Sequence, residues 1–176
     1  MNILKYKLYI FDLDGTIIDS EHCHFEAYKD QIKNFYYESY ENNFHNYEKK
    51  KIFIKINKIN KNQKEEKFKE LYKLKKNYID GFIKLFKELM LNGKEICICT
   101  NSSKERCEFI KSLHSELKLV KTWITKDDVK NEKPNNEGYI KCINNFNIPL
   151  KDVIIFEDSY AGYKAIKNIN VDKIFI

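Results

Sequence analysis

Apolar positions along the chain follow two rhythms, and the change from one to the other divides the molecule. Residues 7–11 form a short apolar run ending at Asp12, which predicts a strand. Asp19 and Ser20 then offer N-caps for a helix beginning near Glu21. Phe25, Tyr28, Ile32, Phe35 and Tyr36 follow at helical spacing on one stripe, and Asn42, Asn43 and Asn46 break it. Residues 51–59 admit two readings. Ile52, Ile54 and Ile56 alternate as in a strand, whereas Ile52, Ile56 and Ile59 fit a helix. Residues 60–62 read as a turn and 64–78 as a helix with Phe68, Leu71 and Tyr72 on one side.

From Phe82 onward strands alternate with helices. The pattern predicts a helix over 82–91 closed by Gly93, a strand over 95–99, and a helix over 104–113 capped by Ser102 or Ser103. A strand over 121–125 and a helix from Asn135 or Asn136 to about 146 come next. A strand over 153–156, a helix capped by Ser159, and a strand over 173–176 complete it. With residues 7–11, this is the grammar of an α/β fold: a doubly wound, mostly parallel, Rossmann-like sheet with helices on both faces. Residues 20–78 hold little convincing strand and read as a helical insertion, so residues 1–19 and 79–176 form the core.

Composition removes several classes. The chain has 176 residues, 43% hydrophobic, with five Gly and two Pro, which excludes collagenous and Pro/Gly-rich disordered chains. No apolar run approaches membrane-spanning length, and residues 1–11 lack a secretory-signal pattern, so a cytoplasmic setting is the expectation. Five cysteines without a CxxC pair fit reduced, buried thiols better than zinc ligands or a disulfide framework.

The net charge of +6 is unevenly spread. Residues 49–76 hold twelve Lys against three Glu, a local +9, which leaves −3 for the rest. Such a segment can be a solvated face, can steer a small anion, or can touch nucleic-acid phosphates. The only arginine, Arg106, lies outside it, so the forked contacts of tight phosphate or base recognition are missing and nucleic acid is the least favoured partner. Nothing in the sequence fixes an oligomeric state.

In a parallel sheet, ligands sit beyond the carboxyl ends of the strands. Asp12 and Asp14 follow the first predicted strand, Thr100 and Asn101 the second, Asp127, Asp128 and then Lys133 the third, and Glu157 and Asp158 the fourth. Asp127 and Asp128 read as an ordinary turn. The other four carboxylates, a hydroxyl and a lysine would share one cleft. Crowded carboxylates need a neutralising cation, and oxygen-only ligands point to Mg²⁺. With the lysine and the hydroxyl this is equipment for phosphoryl transfer.

The motifs Asp12-Leu13-Asp14-Gly15-Thr16, Thr100-Asn101-Ser102-Ser103, Lys133-Pro134 and Phe156-Glu157-Asp158-Ser159, followed by Gly162, resemble those of the haloacid dehalogenase superfamily in order and spacing. The resemblance covers roughly residues 4–20 and 79–176. It implies a Mg²⁺-dependent phosphatase acting on a small phosphomonoester. Asp12 would be the nucleophile and Asp14 the general acid and base. Thr100 and Lys133 would bind phosphate, as would Asn101, which reads equally as a loop cap. Asp12, Asp14 (through its carbonyl) and Asp158 would hold the metal, with Glu157 as a further ligand or as a partner that orients them. The insertion stands where this superfamily places an α-helical cap over the cleft. Residues 19–24 are similar to the hinge of the beta-phosphoglucomutase-like branch, which would give Ser20 and His24 cap or substrate contacts. His24 reads equally as a packed residue on the Phe25/Tyr28 stripe. Two other functions fit the same residues: a sugar phosphomutase, and a non-catalytic module that binds anions or nucleic acid through its lysines.

Overall fold

A computed structural model describes residues 2–44 and 47–176. The chain forms two compact units, one built from the chain up to Ile18 together with Tyr78–Ile176, the other from Asp19–Asn77.

The first unit is built on five strands: β1 (Leu8–Phe11), β2 (Glu95–Cys99), β3 (Thr122–Ile124), β4 (Val153–Glu157) and β5 (Asp172–Phe175). Their spatial order is β3-β2-β1-β4-β5, and every pairing is parallel. Leu8 of β1 lies opposite Glu95 on one side and Val153 on the other, so the three central strands end level with one another. Helices α5 (Phe82–Leu91), α6 (Lys104–Leu113), α7 (Glu137–Asn144) and α8 (Tyr160–Ile166) complete the unit. A parallel sheet needs both faces covered, and the apolar runs supply both. Leu8, Ile10, Cys97, Cys99 and Ile155 pack with Tyr139, Cys142 and Ile143 of α7 and Ala165 and Ile166 of α8. On the other face Phe11 stacks on Phe156 at 4.6 Å and meets Phe82 of α5 edge-on at 5.6 Å. All five cysteines are free thiols and buried.

The second unit contains α1 (Glu21–Lys29), α2 (Tyr37–Phe44), α3 (Tyr47–Ile56) and α4 (Lys61–Lys75). Here the sequence pattern and the structure differ in detail. The stripe expected to run through Tyr36 stops at Lys29, and Asn34 takes a left-handed turn with φ of 55°. Phe35 still reaches the core, but Tyr36 is exposed. Asn42 and Asn43, expected to break helix, lie within α2; Asn46 falls outside the described residues. The ambiguous segment 51–59 is mostly helical. A helix separates what alternation would put on one face: Phe53 and Ile54 join the Phe25, Tyr28, Phe35 and Tyr40 cluster, while Ile52 and Ile56 face solvent. The expected turn at 60–62 starts α4, where the Asn60 side chain accepts from the Asn62 and Gln63 amides at 3.1 Å. Ser20 occupies the N-cap position of α1 without a capping bond from its side chain, because its backbone is already helical (φ −115°, ψ −6°). Among the described residues, no helix is long and apolar enough to cross a membrane.

One fold contact bears directly on the sheet edge. Glu137, in the first turn of α7, accepts the Lys130 and Asn131 amides at 3.0 Å and the Lys141 ammonium at 3.1 Å. It thereby fixes the loop leading to Lys133. Donation from the Lys130 amide and Lys141 holds the Glu137 carboxyl down at about 2, below its ordinary 4.5. A depressed folded-state value means that stability is contributed above the unfolded value and lost as pH falls through the folded one. Urea midpoints of Glu137→Gln should therefore lie below wild type at pH 7 and 5. The gap should shrink between pH 4.5 and about 2. An unchanged gap across that window would contradict the clamp.

Candidate active site

Each strand of the central trio delivers a polar group where its hydrogen-bonding ends. Asp12 follows β1, with its amide donating to Phe156 O at 3.0 Å. Thr100 follows β2, with its amide donating to Ile124 O at 2.9 Å. Glu157 closes β4, and Asp158 follows it. Asp12, Thr100, Lys133 and Glu157 are all buried, a costly placement for four polar groups unless they satisfy one another.

They do so around Lys133. Its Nζ lies 2.5 Å from Asp12 Oδ1 and 2.6 Å from Glu157 Oε1. Lys133 comes from the loop after β3, and that loop is sewn to the end of β2. Asn101 Oδ1 accepts the Lys133 amide at 2.9 Å, and Asn101 Nδ2 donates to the Lys133 carbonyl at 3.1 Å. Asn101, expected among phosphate-binding residues, thus holds the Lys133 backbone with both ends of its amide.

Glu157 is the acceptor hub. Oε1 also takes the Tyr139 hydroxyl at 2.8 Å. Oε2 accepts the Asp158 amide at 3.0 Å, the Ser159 amide at 2.8 Å and the Ser159 hydroxyl at 3.0 Å. To join a metal shell, as the family resemblance implies, it would have to release one of these donors. Asp12, Glu157 and Asp158 each offer an oxygen within 4.8 Å of the others, a group able to hold a cation.

Charge in this cluster is unbalanced, with three carboxylates against one ammonium. Burial, with the charges of Glu157 and Asp158, holds Asp12 well above its ordinary range despite Lys133. Burial and Glu157 push Asp158 up to about 6. Burial also works against Glu157, but the Lys133 charge and its donors outweigh it and hold Glu157 low. For Lys133, burial lowers and the Asp12 and Glu157 charges raise; the charges win, so it stays an ammonium. Two carboxylates held up by burial and by neighbouring negative charge, with only hard oxygen donors on offer, suit a divalent cation such as Mg²⁺.

Asp14 follows Asp12 by two residues. Ser102 Oγ donates to Asp14 Oδ2 at 2.7 Å and accepts from Arg106 Nη1 at 3.1 Å. The Ser102 amide donates to Thr100 Oγ1 at 3.0 Å, so the Thr100 hydroxyl hydrogen is turned away from Ser102. Thr16 Oγ1 donates to Asp158 Oδ1 at 3.0 Å. Gly15 adopts φ of 82°, and a Cβ there would collide with the Asp158 carboxylate.

The structure therefore brings Asp12, Asp14, Thr100, Asn101, Lys133, Glu157 and Asp158 to the sheet unit's strand ends. Asp127 and Asp128 form a turn there: Asp128 Oδ2 accepts from Thr125, and Asp127 Oδ2 accepts the Lys104 amide that opens α6. Ser20 and His24 belong to the other unit. Ser20 is buried, and His24 stacks on Phe68 with Nδ1 2.7 Å from Lys64 Nζ. Sequence reasoning overlooked Thr16, Arg106 and Tyr139; of the two serines offered as caps of α6, Ser103 takes that place and Ser102 turns to Asp14. Arg106 carried one signal, being the only arginine, and Thr16 lay inside a motif already singled out. Tyr139 carried none.

Residues 9–176 match the family model for haloacid dehalogenase-like hydrolases. The chain is similar to a phosphorylated carbohydrates phosphatase of Thermotoga maritima, 28% identical across 94% of this chain and 82% of that protein. It is 27% identical to validoxylamine A 7'-phosphate phosphatase of Streptomyces hygroscopicus, across 94% and 83% of the two. Its fold is that of CbbY from Rhodobacter sphaeroides, solved with phosphate: TM-score 0.79, 19% identity, 97% of this chain and 85% of the other.

A methyl group added at Gly162 would overlap the Glu157 carboxylate, so this glycine sets how closely α8 approaches the hub. Gly162→Ala should lower unfolding free energy by about 1–3 kcal/mol. A thermal melt that matches wild type would mean Glu157 is not held where the structure places it.

Proposed function

The chain belongs to the haloacid dehalogenase-like hydrolase family, and on that premise we propose that it is a Mg²⁺-dependent phosphatase working through an aspartyl-phosphate on Asp12. One observation carries the reading: Asp12 and Lys133, 121 positions apart, meet at 2.5 Å at the end of β1, with Asp158 beside them. A structural ion pair needs neither the third carboxylate nor the hydroxyls of Thr100 and Ser102 around it.

The steps follow from these groups. Asp12 attacks phosphorus as the ester P–O bond breaks, and Asp14 gives its proton to the departing alkoxide. Water then attacks the same phosphorus. Asp14 takes a proton from it, the Asp12–P bond breaks, and phosphate leaves. Lys133, firmly charged, balances the negative charge on Asp12 and the phosphoryl oxygens throughout. Thr100 gives its hydroxyl hydrogen to a phosphoryl oxygen. Asp12, Asp158 and the Asp14 carbonyl would hold Mg²⁺, which supplies the positive charge that the cluster lacks.

The substrate class is a small phosphorylated organic molecule, supported by the names of the two phosphatase relatives, and of the carbohydrate kind, supported by the name of the Thermotoga maritima one. Residues 19–77 serve as the helical cap, with the rest as the catalytic core. Exposed lysines at positions 49, 55, 58, 61, 73, 75 and 76 favour encounter with such an anion. Free buried thiols suit a reducing, cytoplasmic setting.

Across a panel of sugar and aryl phosphates, wild type with Mg²⁺ should release phosphate, and EDTA should abolish release. Asp12→Asn should lower kcat at least about 10³-fold while its thermal melt stays close to wild type. Equal turnover by wild type and Asp12→Asn, or turnover indifferent to EDTA, would contradict the proposal.

A further inference from the structure

Arg106 has no part in the chemistry above, yet it ends on the group that touches Asp14. It lies in the first turn of α6, where its amide donates to the Ser103 hydroxyl at 3.3 Å. Helical side chains lean toward the N-terminus, and Arg106 stands four residues after Ser102. Its guanidinium consequently folds back over the start of its own helix, and Nη1 reaches Ser102 Oγ at 3.1 Å. Ser102 is buried, and its backbone is held on both sides: the amide by Thr100 Oγ1, the carbonyl by the Lys126 amide at 3.1 Å.

A serine hydroxyl has one hydrogen and two lone pairs. Once Arg106 donates to that oxygen, the hydrogen is turned away from the guanidinium, and here it meets Asp14 Oδ2 at 2.7 Å. A donor of fixed charge also makes the hydroxyl a stronger donor in turn. We propose that Arg106 is a positioning residue for Asp14, acting through the Ser102 hydroxyl to set the carboxyl in the orientation from which it serves the leaving oxygen. This rests on the role given to Asp14 above and extends it to a residue outside the groups assigned to phosphate and metal.

The chemistry gives this role a signature. As the ester P–O bond breaks, the leaving oxygen gains the electron pair and takes the Asp14 proton. A basic leaving oxygen needs that proton, whereas an acidic phenol departs without it. Misplacing Asp14 therefore penalises poor leaving groups selectively, while damage to phosphate binding or to the fold penalises all esters alike.

The test compares 4-methylphenyl with 4-nitrophenyl phosphate, in Mg²⁺, for wild type, Arg106→Met, Arg106→Lys, Ser102→Ala and the Arg106→Met/Ser102→Ala double variant. Thermal melts of each variant accompany the kinetics. Arg106→Met should lose about tenfold or more in kcat/KM on the methylphenyl ester and less than about threefold on the nitrophenyl ester. Ser102→Ala should show the same selectivity, and the double variant should be no worse than the worse single, as expected for two links of one chain. Arg106→Lys, which keeps one charged donor, should recover much of the loss. An equal loss on both esters, or losses that multiply in the double variant, would overturn the relay. If wild type hydrolyses both esters and Asp12→Asn neither, the phosphatase reading stands even when the relay falls. If wild type hydrolyses neither, both fall together.

Discussion

A single buried ammonium, shared between two carboxylates, organises the sheet unit's polar edge. Lys133 reaches Asp12 and Glu157 together, and none of the three is open to solvent. Removing the shared ammonium would leave buried carboxylates uncompensated, with typical losses of about 3–5 kcal/mol, whereas loss of the Asp12 charge alone leaves Lys133 paired with Glu157. The surrounding backbone is accordingly committed to keeping the three in register. Asn101 grips the Lys133 peptide, Glu137 grips the residues before it, and the Asp158 and Ser159 amides grip Glu157.

The fold makes this convergence inexpensive in chain entropy. Five parallel strands with β1 in the middle place the ends of β2 and β4 on either side of Asp12. Thr100 and Asp158 thus arrive through strand pairing, before any side-chain contact is needed. What the loops add is a set of donors of fixed direction: Ser102 to Asp14, Thr16 to Asp158, Tyr139 to Glu157. The cluster remains short of positive charge even so. Asp12 and Asp158 are both held above their ordinary pKa values by burial and neighbouring negative charge, a cost that a divalent cation would relieve.

Much of this was legible in the residues. The buried strands read as unbroken apolar runs, and each of β1, β2 and β4 was followed by chemistry-bearing groups, so the fold class and the motif residues could be placed from pattern alone. The helical unit was harder. Its aromatic stripe continues past the end of α1 because Phe35 packs from a turn, and the alternating isoleucines of α3 imitate a strand although two of them face solvent. Side-chain direction was harder still. Asn101 read equally as a loop cap or a substrate contact, and it holds the Lys133 peptide; Ser102 and Ser103 both read as caps of α6, and Ser103 is the cap while Ser102 bridges Arg106 to Asp14. Linear spacing locates a residue at the edge but does not determine which of two neighbours its side chain meets.

The proposed role of Asp12 as nucleophile can be tested directly on the covalent state of the protein. Wild type turning over 4-nitrophenyl phosphate with Mg²⁺ would be quenched in acid, treated with borohydride to reduce any acyl phosphate to the alcohol, digested, and mapped by mass spectrometry. Asp12 should be converted to homoserine, dependent on substrate and on Mg²⁺. Steady turnover with Asp12 unmodified and another side chain reduced in its place would contradict a nucleophilic Asp12.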